Sequence, residues 1–511
     1  MSRSTKLLYS LLFVLFMLVV FLVIFEYAIA KDYFRDENQF IASGKLLQSA
    51  GLLPYRDYPY FHLPNLVFVY AFIDLFTEFS HLGARLFSVV CAWIMLVLLA
   101  ISAQRWIGVR SWPLQLALGM SAVLLLLPNP LFHFTTGLAW NHDAPVLLTL
   151  LAALVFLKSA ESAHPGRLSL AAGFLLGLAV GTRVSFLTAV VAFLPAYLFH
   201  PRAESARSKA RLAALFCAGL ALALLPTLLL FLLAPRQFIF GNLTYAGLNT
   251  LYRESTGFVG PMTFSEKLLY VNERFLGQPG NIVLLVLWAL AALCALVYLR
   301  QKHPPRFEFF FLLALPLSLL LGSFLPTPLW YQYFYAPLPF LVLATIYVLG
   351  RLGRVGKRWQ GAGIAVLLCA ALAVNFFHYK QYPNPRWLLK PGLWYPMRTR
   401  VIGYQIQQRV GNQPVLTLSP LFPLDGGSDI YAPFATGPFA WRVAPLVSVN
   451  QRQAFMLYNE SELRALLAQQ PPGGVLTGLE HQAEGFLVNY ARQQGYQPVP
   501  ISEDLTLWLP K

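Results

Sequence analysis

The chain has 511 residues, of which 57% are hydrophobic and 12% charged, and its formal net charge is +16. Its mean hydropathy is +0.57. A soluble globular protein carries about 25% charged residues. The composition therefore argues against a large soluble enzyme, a disordered chain and a nucleic-acid binder, and implies a polytopic membrane protein. The four cysteines, Cys91, Cys217, Cys294 and Cys369, lie in or beside apolar runs without ligand spacing. They read as small buried hydrophobes, not as a disulfide or zinc set.

Arg3 and Lys6 precede an apolar run over 7–30. It exceeds the core of a secretory signal, about 7–15 residues, and reads as an uncleaved first membrane helix. A span needs about 20 apolar residues. Further spans are expected near 84–104, 112–131, 143–160, 168–182, 184–200, 212–234, 281–299, 307–325, 335–350 and 361–377, about eleven in all. With the N-terminus inside, the cytoplasmic loops hold Arg105 and Arg110; Lys158 and Arg167; Arg202, Arg207, Lys209 and Arg211; Arg300, Lys302 and Arg306; and Arg351, Arg354, Lys357 and Arg358. The opposite loops near 132–142 and 326–334 contain no Lys or Arg. This asymmetry sets the orientation. A span at 64–79 would invert every later loop, so that apolar segment reads as a helix lying at the interface.

Two outer loops remain, 31–83 and 235–280. Asp36 and Glu37 follow the first span and precede a helix-like stretch, Glu37–Ala50, with Phe40, Ile41, Gly44, Leu46 and Leu47 on its apolar face. Asp36 reads either as a helix cap or, with Glu37, as a carboxylate pair able to act as general base. The stretch Tyr55-Arg-Asp-Tyr-Pro-Tyr-Phe-His62-Leu-Pro reads as an aromatic interface belt, or as a site where His62 bonds a phosphate or sugar. Asn141-His142-Asp143 opens a span from outside; Asp143 either caps it or reaches a cavity. Arg183, in Gly181-Thr-Arg-Val-Ser185, either snorkels or meets a phosphate. Arg253 and Tyr245 in the second outer loop, with Tyr331, Gln332 and Tyr333 at a span's outer end, suit sugar binding by hydrogen bonds and stacking, or an interface belt. Asn242-Leu-Thr and Asn459-Glu-Ser match the glycosylation sequon, a short pattern.

After residue 378 polar residues, Gly and Pro return. Val415-Leu-Thr-Leu-Ser reads as a strand and Glu460–Gln470 as an amphipathic helix. A membrane domain over 1–377 followed by a small extracytoplasmic α+β domain over 378–511 is expected.

Three features together resemble the GT-C membrane glycosyltransferases, in the branch with protein O-mannosyltransferases and lipid A aminoarabinose transferases. They are Arg35-Asp36-Glu37 with the later Tyr-Pro-Tyr-Phe-His-Leu-Pro stretch; Asp143 opening a span; and Gly177-Leu-Ala-Val-Gly-Thr-Arg183 with Tyr331-Gln-Tyr-Phe-Tyr-Ala-Pro-Leu-Pro. The resemblance covers roughly 1–350. It implies an inverting transfer from a polyprenyl-phosphate-linked sugar to a glycan, lipid or protein acceptor, within a membrane and without nucleic acid, in building cell-envelope glycans. It implies catalytic roles for Asp36 and Asp143 and phosphate binding by Arg183; the residue reading adds Glu37 beside Asp36 as catalytic and His62 beside Arg183 at the phosphate. Arg253, Tyr245, Tyr331, Gln332 and Tyr333 would contact substrate. Aminoarabinose transferases have an acidic and a basic residue before the first-loop Pro, where this chain has His62 and Leu63. That departure leaves the sugar donor and a divalent metal open; no other cofactor is expected. A lipid or sugar flippase would put ionisable residues inside several spans and show repeats; here the charges sit at span ends. A non-catalytic scaffold would leave Asp36, Asp143 and Arg183 as unrelated caps. The bacterial inner membrane is the expected location.

Overall fold

The computed structural model describes residues 3–260, 262–298, 306–352 and 357–511. Arg300, Lys302 and Arg354, used above for orientation, lie outside them, as does residue 299. The protein is mostly helical. Among the described residues, seven helices are long and apolar enough to cross a membrane: Lys6–Ala30, Ser80–Ile107, Pro165–Thr182, Pro279–Leu296, Arg306–Phe324, Tyr331–Leu352 and Lys357–Gln381. The pair Ala206–Ala223 and Leu225–Leu233 is long and apolar enough only when taken together, and is bent by 51°, the geometry of one broken span or of a re-entrant loop. Pro226 stands in the first turn of the second piece; without an N–H it interrupts the ladder at the bend.

These account for eight of the eleven expected runs. The other three form shorter helices. Trp112–Leu124 has 13 residues and Asp143–Ser159 has 17. The run 184–200 is a 3-10 turn, Val184–Ala189, leading into Val190–Ala196 with Pro195 inside. The segment 64–79 holds a nine-residue helix, Asn65–Ile73. At 1.5 Å per residue it reaches about 14 Å, too short to cross. Phe72, Leu75 and Phe76 on and after it are exposed.

The helix expected after the first span runs Arg35–Ala50 and ends at Gly51, whose φ of 65° is open to glycine at little cost. Phe34 occupies its cap position without a side-chain bond, so Asp36 lies in the first turn and does not cap it. Tyr55, Tyr58 and Tyr60 are fully buried, so they form core and not an interface belt. Of the cysteines, Cys91 is buried, Cys294 half-buried, and Cys217 and Cys369 exposed. The last two face outward on apolar helices, where lipid would replace the expected protein core.

The C-terminal part carries a four-stranded sheet. β1 (Val415–Thr417), β2 (Gly474–Thr477), β3 (Gln497–Pro500) and β4 (Thr506–Leu509) are ordered β1-β2-β4-β3. β1 and β2 are parallel, with Val415 opposite Gly474; the other pairs are antiparallel. Both faces are covered. Leu416, Val475 and Trp508 pack with Leu463, Leu467 and Leu487, while Val415, Leu476 and Leu507 pack with Ile406 and Val410. Pro498 and Pro500 lie on the edge strand β3, where a missing N–H costs least. The expected helix appears as Glu460–Gln469, capped by Asn459 in a reciprocal bond with Glu462.

This part docks on the residues that follow the first helix. Asn38 Oδ1 accepts from the Leu421 backbone N–H at 3.3 Å. Tyr33 reaches Ser419 and Glu480, each at 3.3 Å, and Arg35 pairs with Glu480 at 2.8 Å. On the neighbouring helix, His81 N–H donates to Asp425 at 3.2 Å.

Candidate functional site

Asp36 and Glu37 are adjacent on one helix and therefore point about 100° apart. Glu37 is fully buried and fully used. Arg85 Nε donates to its Oε1 at 2.8 Å and Arg85 Nη2 to its Oε2 at 2.6 Å; the Ala139 N–H donates to Oε1 at 2.7 Å. Burial would raise its pKa, but Arg85, then His81, outweigh that and hold it well below the usual carboxylate range. His81 Nε2 lies 3.6 Å from Glu37 Oε2.

Asp36 is half-buried, and among the described residues its carboxylate has no hydrogen-bond or ion-pair partner. Burial pushes its pKa up. The charges of Arg253, Arg442, Arg183 and Arg35 oppose that, in falling order. One carboxylate without a bonded partner among the described residues thus feels the charge of four guanidinium groups from four parts of the chain.

Arg183 ends the helix Pro165–Thr182 in an extended conformation, φ −152° and ψ 115°. This break turns its side chain inward. Its Nε donates to Ser185 Oγ at 3.1 Å and its Nη1 to Asn141 Oδ1 at 3.2 Å; Nη1 also lies 2.8 Å from His142 Nε2. The guanidinium stacks on the Tyr333 ring, 4.4 Å from its centroid. His142 is held neutral by burial, then by Arg183 and His62. His62, half-buried with its ring 5.0 Å from that of Phe40, is pushed down to about 3 by burial and Arg183, so it also is neutral.

Asp143 is buried and committed. Its Oδ2 accepts from the Gly137 N–H at 2.8 Å and its Oδ1 from the Tyr335 hydroxyl at 2.8 Å. Together Glu37 and Asp143 pin the backbone at Ala139 and Gly137, the turn that carries Asn141 and His142 to Arg183. Of the aromatic run, Tyr333 meets Arg183. Tyr331 packs edge-on to Phe134 at 5.4 Å, and Gln332 is buried. Tyr245 stacks on Phe61 at 3.8 Å, and its buried hydroxyl lacks a partner among the described residues. Arg253 lies between Phe258 and Trp330, 5.0 and 4.8 Å from their centroids.

Four contributors escaped the sequence reading: Asn141 as a partner of Arg183, Arg85, Arg442 and Glu480. Arg85 left a signal, a cation at the start of an otherwise apolar helix, which implies a buried anion. Arg442 and Glu480 lie in a polar stretch where a charge is unremarked. Among the described residues, no group of three or more His, Cys, Asp or Glu side chains converges as a metal set. Around Asp36 and His62 the neighbours are guanidiniums, which repel a cation, so the donor set does not fit a divalent ion.

The whole chain superimposes on solved membrane enzymes. ArnT from Cupriavidus metallidurans, bound to undecaprenyl phosphate, aligns over 98% of this chain and 97% of its own, with TM-score 0.60 and 14% identity. The Archaeoglobus fulgidus oligosaccharyltransferase AglB, in complex with an inhibitory peptide and a dolichol-phosphate, aligns over 97% of this chain and 73% of its own, with TM-score 0.51 and 12% identity. This chain has the GT-C fold. The A. fulgidus enzyme in complex with Zn and sulfate aligns at TM-score 0.50 and 12% identity, over 91% of this chain and 68% of its own. No family model and no curated protein sequence matches the chain. At these identities the likeness extends to the GT-C architecture and carries no assignment of individual residues.

Proposed function

We propose that the protein is a glycosyltransferase of the bacterial inner membrane. It moves a sugar from a polyprenyl-phosphate-linked donor to an acceptor hydroxyl, with inversion, at the outer face. The observation that carries this reading is the unpartnered, half-buried Asp36 carboxylate among four guanidiniums. The GT-C fold and the undecaprenyl phosphate on a structural neighbour support the donor class. The Lys/Arg asymmetry of the loops supports a cytoplasmic N-terminus, with the α+β part, residues 378–511, outside.

Asp36 accepts the proton of the acceptor hydroxyl. The acceptor oxygen attacks the anomeric carbon from the face opposite the lipid phosphate. The new C–O bond forms as the bond to the phosphate oxygen breaks, and the polyprenyl phosphate leaves with that electron pair. Arg183 stabilises the charge growing on the phosphate. His142 and His62, being neutral, add hydrogen bonds but no charge. Tyr333 braces Arg183 by stacking, and the unpartnered Tyr245 hydroxyl offers a hydrogen bond to the sugar. Glu37 and Asp143 act as positioning residues, holding the turn that presents Asn141 and His142.

The test is a transfer assay on purified protein in lipid, with a panel of polyprenyl-phosphate sugars. Asp36→Asn should lower turnover by about 10²–10⁴-fold, the usual worth of a general base, while leaving folding intact. Retained turnover in a folded Asp36→Asn protein would sink the base assignment. Absence of both binding and turnover by wild type would sink the class.

A further inference from the structure

Arg442 sits in the helix Pro438–Val443 of the C-terminal part, yet its charge is the second strongest felt by Asp36. It is buried, 7% exposed. One of its nitrogens, Nη2, lies 3.2 Å from Glu480 Oε2, while its Nε is buried without a hydrogen-bond partner among the described residues. Arg253 repeats the pattern from the membrane part, with its own Nε buried and unpartnered. Arg442 lies 5.8 Å from the ring centroid of Tyr252, the residue before Arg253, and its charge is among those that bear on Arg253. Two like charges with idle, desolvated donors are costly unless an anion joins them.

Charge counting points the same way. The four guanidiniums around Asp36 are faced by two carboxylates, Asp36 itself and Glu480, which binds Arg35 and Arg442. The surplus is two positive charges. A polyprenyl phosphodiester carries one negative charge, and Arg183 with its neutral histidines is furnished to meet it. One positive charge then remains, and the two idle Nε atoms belong to Arg253 and Arg442.

We infer that Arg253 and Arg442, joined across the interface between the membrane part and the C-terminal part, form a second anion subsite for a phosphate or carboxylate group beyond the lipid phosphate at Arg183. The inference rests on the function proposed above. The second anion belongs either to the donor, as a second phosphate, or to the acceptor. Glu480 is a positioning residue that aims Arg442.

The affinity of the full-length protein in nanodiscs is to be measured for undecaprenyl phosphate and for undecaprenyl diphosphate. With undecaprenyl phosphate saturating, it is then measured for inorganic phosphate. Wild type, Arg442→Ala, Arg442→Lys and Glu480→Gln are compared. Losing one charged hydrogen-bonding group costs about 10–100-fold in affinity. If the donor supplies the second anion, Arg442→Ala loses that much for the diphosphate and little for the monophosphate. If the acceptor supplies it, both lipids bind as before and inorganic phosphate is lost. Arg442→Lys keeps the charge and recovers part of either loss, and Glu480→Gln gives a smaller loss with the same selectivity. Equal weakening of both lipids, or no change in any of the three affinities, overturns the subsite. Wild type that binds inorganic phosphate through Arg442 but neither lipid would overturn the proposed donor class and leave the subsite standing.

Discussion

At the scale of single residues, Asp36 and Glu37 are sequence neighbours in opposite electrostatic settings. Glu37 has Arg85 in bidentate contact; Asp36 has four cations near but none bonded. Because burial raises the Asp36 pKa, more of it is protonated at mildly acid pH than of an exposed Asp, whose pKa is about 3.9. A base works only when ionised. The acid limb of the kcat/KM profile should therefore lie above that of an exposed Asp. Arg253→Gln removes the largest opposing charge and should move that limb to still higher pH; an unmoved limb would separate it from Asp36. For Glu37 the shift is reversed. Its depressed folded pKa contributes stability that is present above about pH 4.3, the unfolded value, and is lost as pH falls toward the folded one. Glu37→Gln leaves Arg85 buried without its counter-charge. It should cost about 3–5 kcal/mol, seen as a lowered unfolding temperature in detergent at neutral pH.

Among elements, the closest helix contact is made where side chains vanish. A Cβ on Gly173 would lie 1.9 Å from the Phe216 carbonyl oxygen, and one on Gly219 would lie 2.0 Å from the Leu170 carbonyl oxygen. Pro165–Thr182 and Ala206–Ala223 thus touch backbone to backbone, as small residues allow in lipid. Gly173→Leu should force the pair apart and abolish a monodisperse folded peak in size-exclusion chromatography. Leu170→Ala, on the same helix but half exposed, should leave that peak in place. The long apolar runs were readable as helices because 20 apolar residues admit little else in a membrane. Their breaks were less so. The bend before Pro226, the 3-10 start at Val184 and the 13-residue length of Trp112–Leu124 depend on Pro placement and neighbouring packing, which a hydropathy window averages away.

For the whole molecule, the C-terminal part is held where the reaction is proposed to occur. Glu480 grips Arg35, one residue before Asp36, and Arg442 with the same carboxylate. Docking and site geometry therefore share one group. Single variants Arg35→Ala and Glu480→Gln should each lower transfer, and the double variant should fall no further than the worse single, the non-additivity of a shared contact. Additive losses would assign the two residues to separate tasks. Asp36, Arg183, His62 and Tyr333 were identifiable from sequence as polar residues placed at span ends. Their convergence was not, because it joins residues about 300 positions apart through helix packing.

Sequence alone determined the membrane class, the order of apolar runs, the C-terminal change of composition and which polar residues could do chemistry. These follow from local quantities, hydropathy and residue type, summed along the chain. Tertiary structure decided that Glu37 is tied up and Asp36 free, that Asp143 braces a turn, and that Arg442 enters the site from the far end of the chain. Each of those depends on which groups meet after burial, where a single charged neighbour at 3 Å reverses what composition implies.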